Sequence, residues 1–240
     1  MTSSSSSSAS SAGLARLESE IVSCRACPRL VAWREEVARV KRASFADEEY
    51  WGRPVPSFGD PEATVLVMGL APAAHGGNRT GRIFTGDRSG DWLFGSLYRV
   101  GMANQPESVS VDDGLKLRGC WVAAVVRCAP PANKPTPAER DTCLPYAVRE
   151  LALLTRVRVI VCLGAFAWDG ALRVLAAGGS TVPRPRPKFG HGAEATIDER
   201  VLLGCYHPSQ QNTFTGKLTR PMIDDVMRRA RELGGVADPR

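Results

Sequence analysis

Four short apolar stretches constrain the fold of this chain more than any other feature of its sequence. In each of them the apolar residues follow one another without alternating polar positions. This pattern is typical of strands that lie inside a parallel sheet and are buried on both faces. The four predicted strands are TVLVMGL (64–70), CWVAAVV (120–126), VRVIVCL (157–163) and RVLLGCY (200–206).

Helical patterns lie between and around these strands, so strand and helix alternate along the chain. The sequence TPAE from Thr136 predicts a capping box that Glu139 closes, with Pro137 in the first turn of the helix. Alternation of this kind predicts a three-layer α/β/α sandwich around a central, mainly parallel four-stranded sheet. The predicted helices are 14–42 (interrupted at Pro28), 89–101, 136–155, 164–177 and 219–234.

Length and composition favour one folded domain. A chain of 240 residues can bury a sizeable core, and no apolar run of 18 residues predicts a transmembrane helix. The serine-rich residues 1–13 predict a disordered tail, which leaves residues 14–240 as a single domain. That tail lacks a basic segment followed by an apolar one, so we expect a cytoplasmic protein without a membrane partner. The net charge of +6 favours an acidic partner without establishing one.

Two polar loops follow the first and the last predicted strand. They are GLAPAAHGGNRTGRIFTGD (69–87), which contains five glycines, and HPSQQN (207–212). In α/β sheets, ligands bind outside the carboxyl ends of the strands, so both loops are expected to form one site. Glycines permit close approach of the backbone to a ligand, and Phe84 offers a ring for stacking, although it could instead be a core residue.

Four cysteines outside the strands form a candidate metal site. Cys24 and Cys27 are spaced C-x2-C, Cys128 follows the second predicted strand, and Cys143 lies on the 136–155 helix. Four thiolates suit either an iron–sulfur cluster or zinc, and the spacing does not separate the two. Packing as unpaired core cysteines is the third possibility. The remaining cysteines, Cys120, Cys162 and Cys205, lie within apolar strands and are expected in the core.

Together these motifs resemble the uracil-DNA glycosylase superfamily, and most closely its iron–sulfur family 5 from bacteria and archaea. The resemblance rests on the 69–87 loop, on VVRCAPPANKPTPAE (125–139) and on HPSQQNTFTGKLT (207–219), within a region from about Cys24 to Arg229. It implies a monomeric, monofunctional DNA glycosylase of base-excision repair that hydrolyses the N-glycosidic bond of uracil in damaged DNA, single- or double-stranded. It also implies a structural 4Fe–4S cluster on Cys24, Cys27, Cys128 and Cys143, in a nucleoid-associated protein.

Such an enzyme flips the base into a pocket and stabilises charge as the bond breaks. His207 is the candidate to stabilise negative charge at the base O2. Asp87 is the candidate to position water or stabilise the sugar cation, and it could also be a helix N-cap. The base would contact the backbone of Leu70 and Ala71 and the ring of Phe84. Asn212 could pair with the base edge or orient the loop.

Specificity and DNA binding are assigned to further residues. Relatives of the classical uracil type carry a bulky Tyr where this chain has Ala73, which implies tolerance of hypoxanthine, ethenocytosine or 5-substituted uracils. Ala124 replaces an amide that reads uracil in family 4, which points the same way. Side chains expected to contact DNA include two candidate wedge residues, Phe214 and Leu218. The candidate phosphate-binding residues are Arg79, Arg82, Lys134 and Lys217.

Two other functions remain open at the level of the sequence. A non-catalytic iron–sulfur protein could use the same basic face to bind damaged DNA, although a pure binder needs neither His207 nor Asp87. A small-molecule redox enzyme is disfavoured, because GLAPAAHG lacks the G-x-G-x-x-G spacing of a dinucleotide site.

Overall fold

A computed structural model describes the backbone of residues 3–237 and the side chains of residues 10–237. The helices are α1 (Ser3–Val22), α2 (Pro28–Val40), α3 (Gly77–Thr80), α4 (Arg88–Arg99), α5 (Pro137–Leu153), α6 (Ala165–Ala177), α7 (Gln210–Phe214) and α8 (Arg220–Gly234). The strands are β1 (Phe58–Gly59), β2 (Val65–Gly69), β3 (Cys120–Ala124), β4 (Val159–Leu163), β5 (Glu194–Ile197) and β6 (Arg200–Cys205).

The described strands form one six-stranded sheet in the order β1-β3-β2-β4-β6-β5. The four predicted strands are its parallel centre, so the mainly parallel sheet is confirmed. The predicted number of four strands is wrong, because β1 and β5 pair antiparallel at the two edges. β1 has only two residues, and β5 is half exposed, so neither has the continuous apolar pattern of a central strand.

Helices cover both faces of the sheet and give the predicted three layers. Alternate side chains of β2 point to opposite faces. Leu66 and Met68 belong to a core with α5 and α6, whereas Val65 and Val67 belong to a core with α4 and α8. The capping box predicted at the start of α5 is present, with the Thr136 and Glu139 side chains each accepting from the other's backbone N–H.

Helix α1 begins at Ser3, inside the segment predicted to be a disordered tail. Residues 1 and 2 of that segment lie outside the described part of the chain. The apolar positions Leu14, Leu17 and Ile21 are buried, and α1 packs against α5. Once the packed part of α1 has formed, each serine or alanine that extends it adds one backbone hydrogen bond without the cost of nucleating a new helix. The serine-rich composition alone does not reveal this extension. No described helix is long and apolar enough to cross a bilayer.

The register of the parallel strands aligns their carboxyl ends. Gly69 at the end of β2 pairs with Ala124 at the end of β3, and Leu163 at the end of β4 pairs with Cys205 at the end of β6. The loops that follow these strands therefore begin side by side at one edge of the sheet.

Candidate active site

The loops after β2, β4 and β6 meet on the side of the sheet where the parallel strands reach their carboxyl ends. We call this side the carboxyl edge. The ring centroids of Phe84 and His207 are 6.2 Å apart. Gly164, which follows β4 with a φ of +91°, lies so close to His207 that a Cβ there would stand 3.3 Å from the Cβ of His207. The two loops that the sequence assigned to one site are thus adjacent, and Gly164 adds a third element to it.

Phe84 forms a fixed aromatic wall of this site. It is only 6% exposed, and its backbone has a φ of +54°, which is unusual for a residue with a side chain. Two glycines make room for it. A Cβ on Gly69 would stand 2.7 Å from the tip of the Phe84 ring, and one on Gly90 would collide with the Phe84 carbonyl oxygen. The surrounding packing therefore holds Phe84 in a backbone conformation that a residue with a side chain rarely adopts.

His207 has a neutral imidazole at physiological pH. Its burial lowers the pKa of the ring to about 4, so the charged form is disfavoured. The Asn212 side chain donates from Nδ2 to the backbone oxygen of His207 at 2.9 Å, while Ser209 caps α7. Asn212 therefore holds the loop that carries the imidazole. A neutral imidazole can still donate one N–H to an oxygen that becomes negative.

Asp87 is the N-cap of α4, as the sequence allowed. Its Oδ1 accepts from the backbone N–H of Gly90 at 3.0 Å. Its Oδ2 lies against Gly76, where a Cβ would collide with it, so this oxygen faces the 69–87 loop. Burial is the largest influence on the carboxyl and raises its pKa. One oxygen thus serves the helix, and the other is directed to the candidate site.

The small residues after β2 line the same edge. Leu70 accepts at its carbonyl from Val126 N–H at 2.9 Å, and Ala73 accepts from Asn78 N–H at 3.1 Å. Leu70, Ala71 and Ala73 are each half-buried. Base contacts by these residues stay predictions, and Ala73 offers only a methyl group where a larger side chain could restrict the pocket.

The predicted phosphate contacts of Arg79 and Arg82 are wrong, because both side chains are buried and do not reach the surface. Arg79 is buried, pairs with Glu48 and donates to the backbone oxygens of His75 and Gly86, at 2.8 and 2.9 Å. Its guanidinium thereby ties two turns of the 69–87 loop together.

Arg82 is buried in the same way. It pairs with Asp113 and donates to the hydroxyl groups of Thr85 and Ser108, at 3.0 and 2.7 Å. Both arginines hold the backbone on either side of Phe84, which is a structural role that their charge alone did not predict.

The last residue of α7 is one candidate wedge residue. Phe214 is 68% exposed, and the Arg88 guanidinium lies 4.3 Å from its ring centroid. Leu218 is fully buried in the core with α4 and α8, so its predicted wedge role is wrong. Its apolar side chain closes the turn instead. Lys217 is exposed over the Tyr206 ring, and Lys134 is exposed in the loop after β3.

The four candidate cysteine ligands line one cavity between α2, the loop after β3 and α5. Two N–H groups point at their sulfur atoms. Arg34 donates from Nη1 to Cys128 Sγ at 2.9 Å, and the backbone N–H of Arg127 donates to Cys143 Sγ at 3.3 Å. Among the described residues, however, no three Cys, His, Asp or Glu side chains converge closely enough to hold a single metal ion. Cys120, Cys162 and Cys205 are buried in the strands as predicted.

Tyr50 is a residue near the site that the sequence did not reveal. Its hydroxyl accepts from the Arg42 backbone N–H at 3.3 Å and lies 3.0 Å from His75 Nδ1. The phenol and the imidazole thus share one hydrogen bond, in which the hydroxyl can donate or accept because its oxygen has two lone pairs. Tyr50 belongs to an irregular loop without a motif, so only the proximity of His75 to the glycines gave a signal.

Comparison with known proteins shows the family to which this chain belongs. Residues 56–231 match the family model of the uracil DNA glycosylase superfamily. A Type-5 uracil-DNA glycosylase of Mycobacterium bovis is 56% identical over 93% of this chain and 82% of its own length. One of Thermus thermophilus is 51% identical over 90% of this chain and 96% of its own. A Type-4 uracil-DNA glycosylase of Archaeoglobus fulgidus is 29% identical over 65% of this chain and 70% of its own. The chain therefore belongs to the type-5 branch of the uracil-DNA glycosylase superfamily.

Proposed function

We infer that the protein is a monofunctional uracil-DNA glycosylase of base-excision repair. The observation that carries this inference is the pairing of a half-buried, neutral His207 with the Phe84 ring at the carboxyl ends of the strands. An aromatic face and a neutral N–H donor are what a flipped pyrimidine needs for stacking and for charge stabilisation at its oxygen.

The reaction cleaves the bond between C1′ of the sugar and N1 of uracil. The bonding electrons leave with the base, so negative charge develops on the uracil and positive charge on the sugar. His207 donates its N–H to the O2 of the leaving uracil and stabilises that negative charge. Asp87, through the oxygen that does not cap α4, positions the water that attacks C1′ and stabilises the sugar cation. Phe84 holds the base, and Asn212 holds the His207 loop.

The pocket is expected to accept bases larger than uracil. Ala73 presents a single methyl group at the edge of the site, and Ala124 ends β3 directly beside Gly69. Neither side chain can select uracil through an amide or exclude a C5 substituent by its bulk. Hypoxanthine, ethenocytosine and 5-substituted uracils are therefore proposed as further substrates.

We propose that Cys24, Cys27, Cys128 and Cys143, which line one cavity, would hold a 4Fe–4S cluster. In a cluster each thiolate binds a different iron, so the sulfur atoms need not converge on one point as they would around zinc. The four thiols line one cavity, as a cluster bound by all four would require. The N–H groups of Arg34 and Arg127 supply the hydrogen bonds that sulfur ligands receive. Such a cluster would be structural and would join α2 to α5.

The partner is damaged DNA, and the protein is proposed to act on it as a monomer, in the cytoplasm at the nucleoid. The glycosylase domain is proposed to extend from residue 14 to residue 240. Three of the residues predicted to contact DNA are exposed at the surface, as such a contact requires: Lys134, Lys217 and Phe214.

Alkali-induced strand cleavage tests this function. An end-labelled duplex with one uracil is incubated with excess protein and heated in alkali, in parallel with a duplex that holds hypoxanthine. We expect cleavage at uracil only after the alkali step, because a monofunctional enzyme leaves an intact strand with an abasic site. Binding without cleavage in either duplex would instead support a non-catalytic iron–sulfur protein that recognises damage.

A further inference from the structure

A basic, proline-rich segment lies next to the active site without a role in the chemistry described above. We define residues 183–192, PRPRPKFGHG, as the basic arm; it contains no acidic residue. The Trp168 indole of α6 donates to the Pro187 carbonyl at 2.9 Å. At its far end, His191 Nδ1 accepts from the backbone N–H of Tyr206 at 3.2 Å. The arm therefore runs from α6 to the residue that precedes His207.

Two aromatic contacts fix this path. The Phe189 ring lies 6.1 Å from that of Trp168 and 6.2 Å from that of Tyr206, measured between centroids. The backbone of the arm is thus attached to the rigid sheet at the carboxyl edge. Its alternating prolines further restrict the chain, so little conformational entropy is lost when the arm binds a partner.

The basic side chains of the arm point to solvent. Arg184, Arg186 and Lys188 are all exposed. Arg186 forms an ion pair with Asp169 at 3.1 Å, whereas Arg184 and Lys188 have no ion pair with any side chain in residues 10–237. Two positive charges therefore remain without a protein counter-charge, beside the mouth of the proposed pocket.

Neighbouring helices add to this positive surface. Asp169, on α6, is also approached by Arg173 at 2.7 Å and by Arg140 of α5 at 3.9 Å. One carboxylate thus faces three guanidinium groups. Since Arg173 also lies 3.7 Å from Asp141, the local excess of positive charge is reduced but not removed. A surface of this kind attracts a polyanion.

An exposed aromatic ring borders the surface on the side of the active site. Phe166 is 65% exposed and lies in the first turn of α6, two residues after Gly164, which packs on His207. It is three residues from Asp169, so the two side chains share one face of the helix. A large apolar side chain left in solvent at this place is suited to contact sugars or base edges.

We propose that the basic arm and Phe166 form a second DNA-binding surface, which holds the phosphate backbone beside the flipped nucleotide. This surface rests on the proposed function and extends it beyond the pocket and the Phe214 turn. Its charges bind phosphates irrespective of sequence. Phe166 supplies an apolar contact next to them, and the arm brings both to within a few residues of His207.

Salt-dependent binding of an undamaged duplex tests the surface. In the Arg184→Gln/Lys188→Gln variant we expect a dissociation constant about tenfold higher at low salt, and a slope of log K against log salt smaller by about two. Phe166→Ala should raise the dissociation constant and leave the slope unchanged, because an apolar contact releases no counterion. Lys116→Gln/Arg118→Gln is the matched control, since both side chains are exposed before β3, at the opposite edge of the sheet.

Uracil excision measured with the same proteins distinguishes a failure of the second DNA-binding surface from a failure of the glycosylase function. With saturating protein, the arm variant should keep the wild-type single-turnover rate, because the arm touches no reacting atom. If the wild type excises uracil but the arm variant binds like the control, the second surface is wrong. If the arm variant loses salt-dependent binding but the wild type excises nothing, the surface stands and the glycosylase function fails. Unchanged melting temperatures confirm that the variants are folded.

Discussion

At the scale of single residues, burial moves the pKa values of Asp87 and His207 in opposite directions. It raises the pKa of the carboxyl and lowers the pKa of the imidazole, so each group is driven towards its neutral form. For His207 this is an advantage, because a neutral ring donates a proton-bearing nitrogen without requiring an ionised partner. For Asp87 it sets a lower limit to the pH range of activity, because the carboxylate is the form that positions water.

Asp87→Asn and Asp87→Ala together separate catalysis from capping. Asn caps a helix as well as Asp does, but it carries no charge. We expect Asp87→Asn to lower the single-turnover rate by about a hundredfold with little change in stability. Asp87→Ala should lose the same activity and about 1 kcal/mol of stability besides. A rate that falls only in the Ala variant would reduce Asp87 to a helix cap.

The pH dependence of excision gives a second test of Asp87. Because its pKa is raised, the wild-type rate should fall on acidification at a higher pH than an ordinary carboxyl would dictate. In Asp87→Asn this decrease should be absent, because the amide does not titrate. If the excision rates of both proteins decreased over the same acidic pH range, the assignment of Asp87 to the chemistry would be contradicted.

Ala73→Tyr tests the size of the pocket. A phenol in place of the methyl group should block space beside the base. We expect excision of hypoxanthine to fall about a hundredfold more than excision of uracil, measured as kcat/KM on matched duplexes. Ala73→Ser is the control for a polar substitution without bulk. Equal losses on both bases in Ala73→Tyr would show that this position does not limit substrate size.

The sequence predicts which residues lie at the site, but it does not predict the ion-pair partners of the charged side chains there. Phe84 and His207 follow predicted strands, so their meeting at one edge follows from the parallel sheet. The prediction that Arg79 and Arg82 contact DNA phosphates rests on their positive charge and on their position in the same loop. Their partners Glu48 and Asp113 are each 31 residues away in the sequence, and no local pattern indicates such ion pairs.

At the scale of elements, the end of α7 and the turn that follows it combine an exposed ring with a buried anchor. Phe214 is exposed to solvent, whereas Leu218 packs beneath the turn against α4 and α8. Both are apolar and lie near one end of the 207–219 motif, so composition could not distinguish them. The continuous apolar pattern predicted the four central strands, but short or half-exposed edge strands carry no such pattern.

Phe214→Ala and Leu218→Ala should therefore fail in different ways. We expect Phe214→Ala to weaken binding and excision of duplex uracil about tenfold at unchanged melting temperature, since one stacking contact with a base is lost. Leu218→Ala should cost about 2–5 kcal/mol of unfolding free energy, as expected when a buried leucine is truncated. A destabilised Phe214→Ala protein with normal DNA binding would remove Phe214 from the interface.

At the scale of the whole molecule, the cysteine cavity links parts of the chain that are far apart in sequence. It joins the start of α2 to the loop after β3 and to α5, which also packs against α1. The spacing of Cys24 and Cys27 indicated a shared site, and the structure brings Cys128 and Cys143 to the same cavity. The sequence could not choose between a cluster and zinc, because both use four thiolates.

Cys24→Ser tests the cluster and its structural role. We expect this variant to lose most of its iron and inorganic sulfide, together with visible absorption, and to melt about 10 °C lower. Cys162→Ala is the control, because Cys162 is buried in β4 and does not line the cavity, so this variant should keep its iron. Wild-type protein that binds zinc and no iron when purified without air would contradict the cluster.

The most direct measurement is the release of free base from a single-uracil duplex, followed by mass spectrometry in one turnover. Wild-type protein should release uracil and leave an abasic site in an uncut strand. His207→Ala should bind the duplex normally but release uracil at least ~100-fold more slowly, as when one donor to a developing anion is removed. Release at the wild-type rate by His207→Ala, or no release by the wild type, would contradict the central claim.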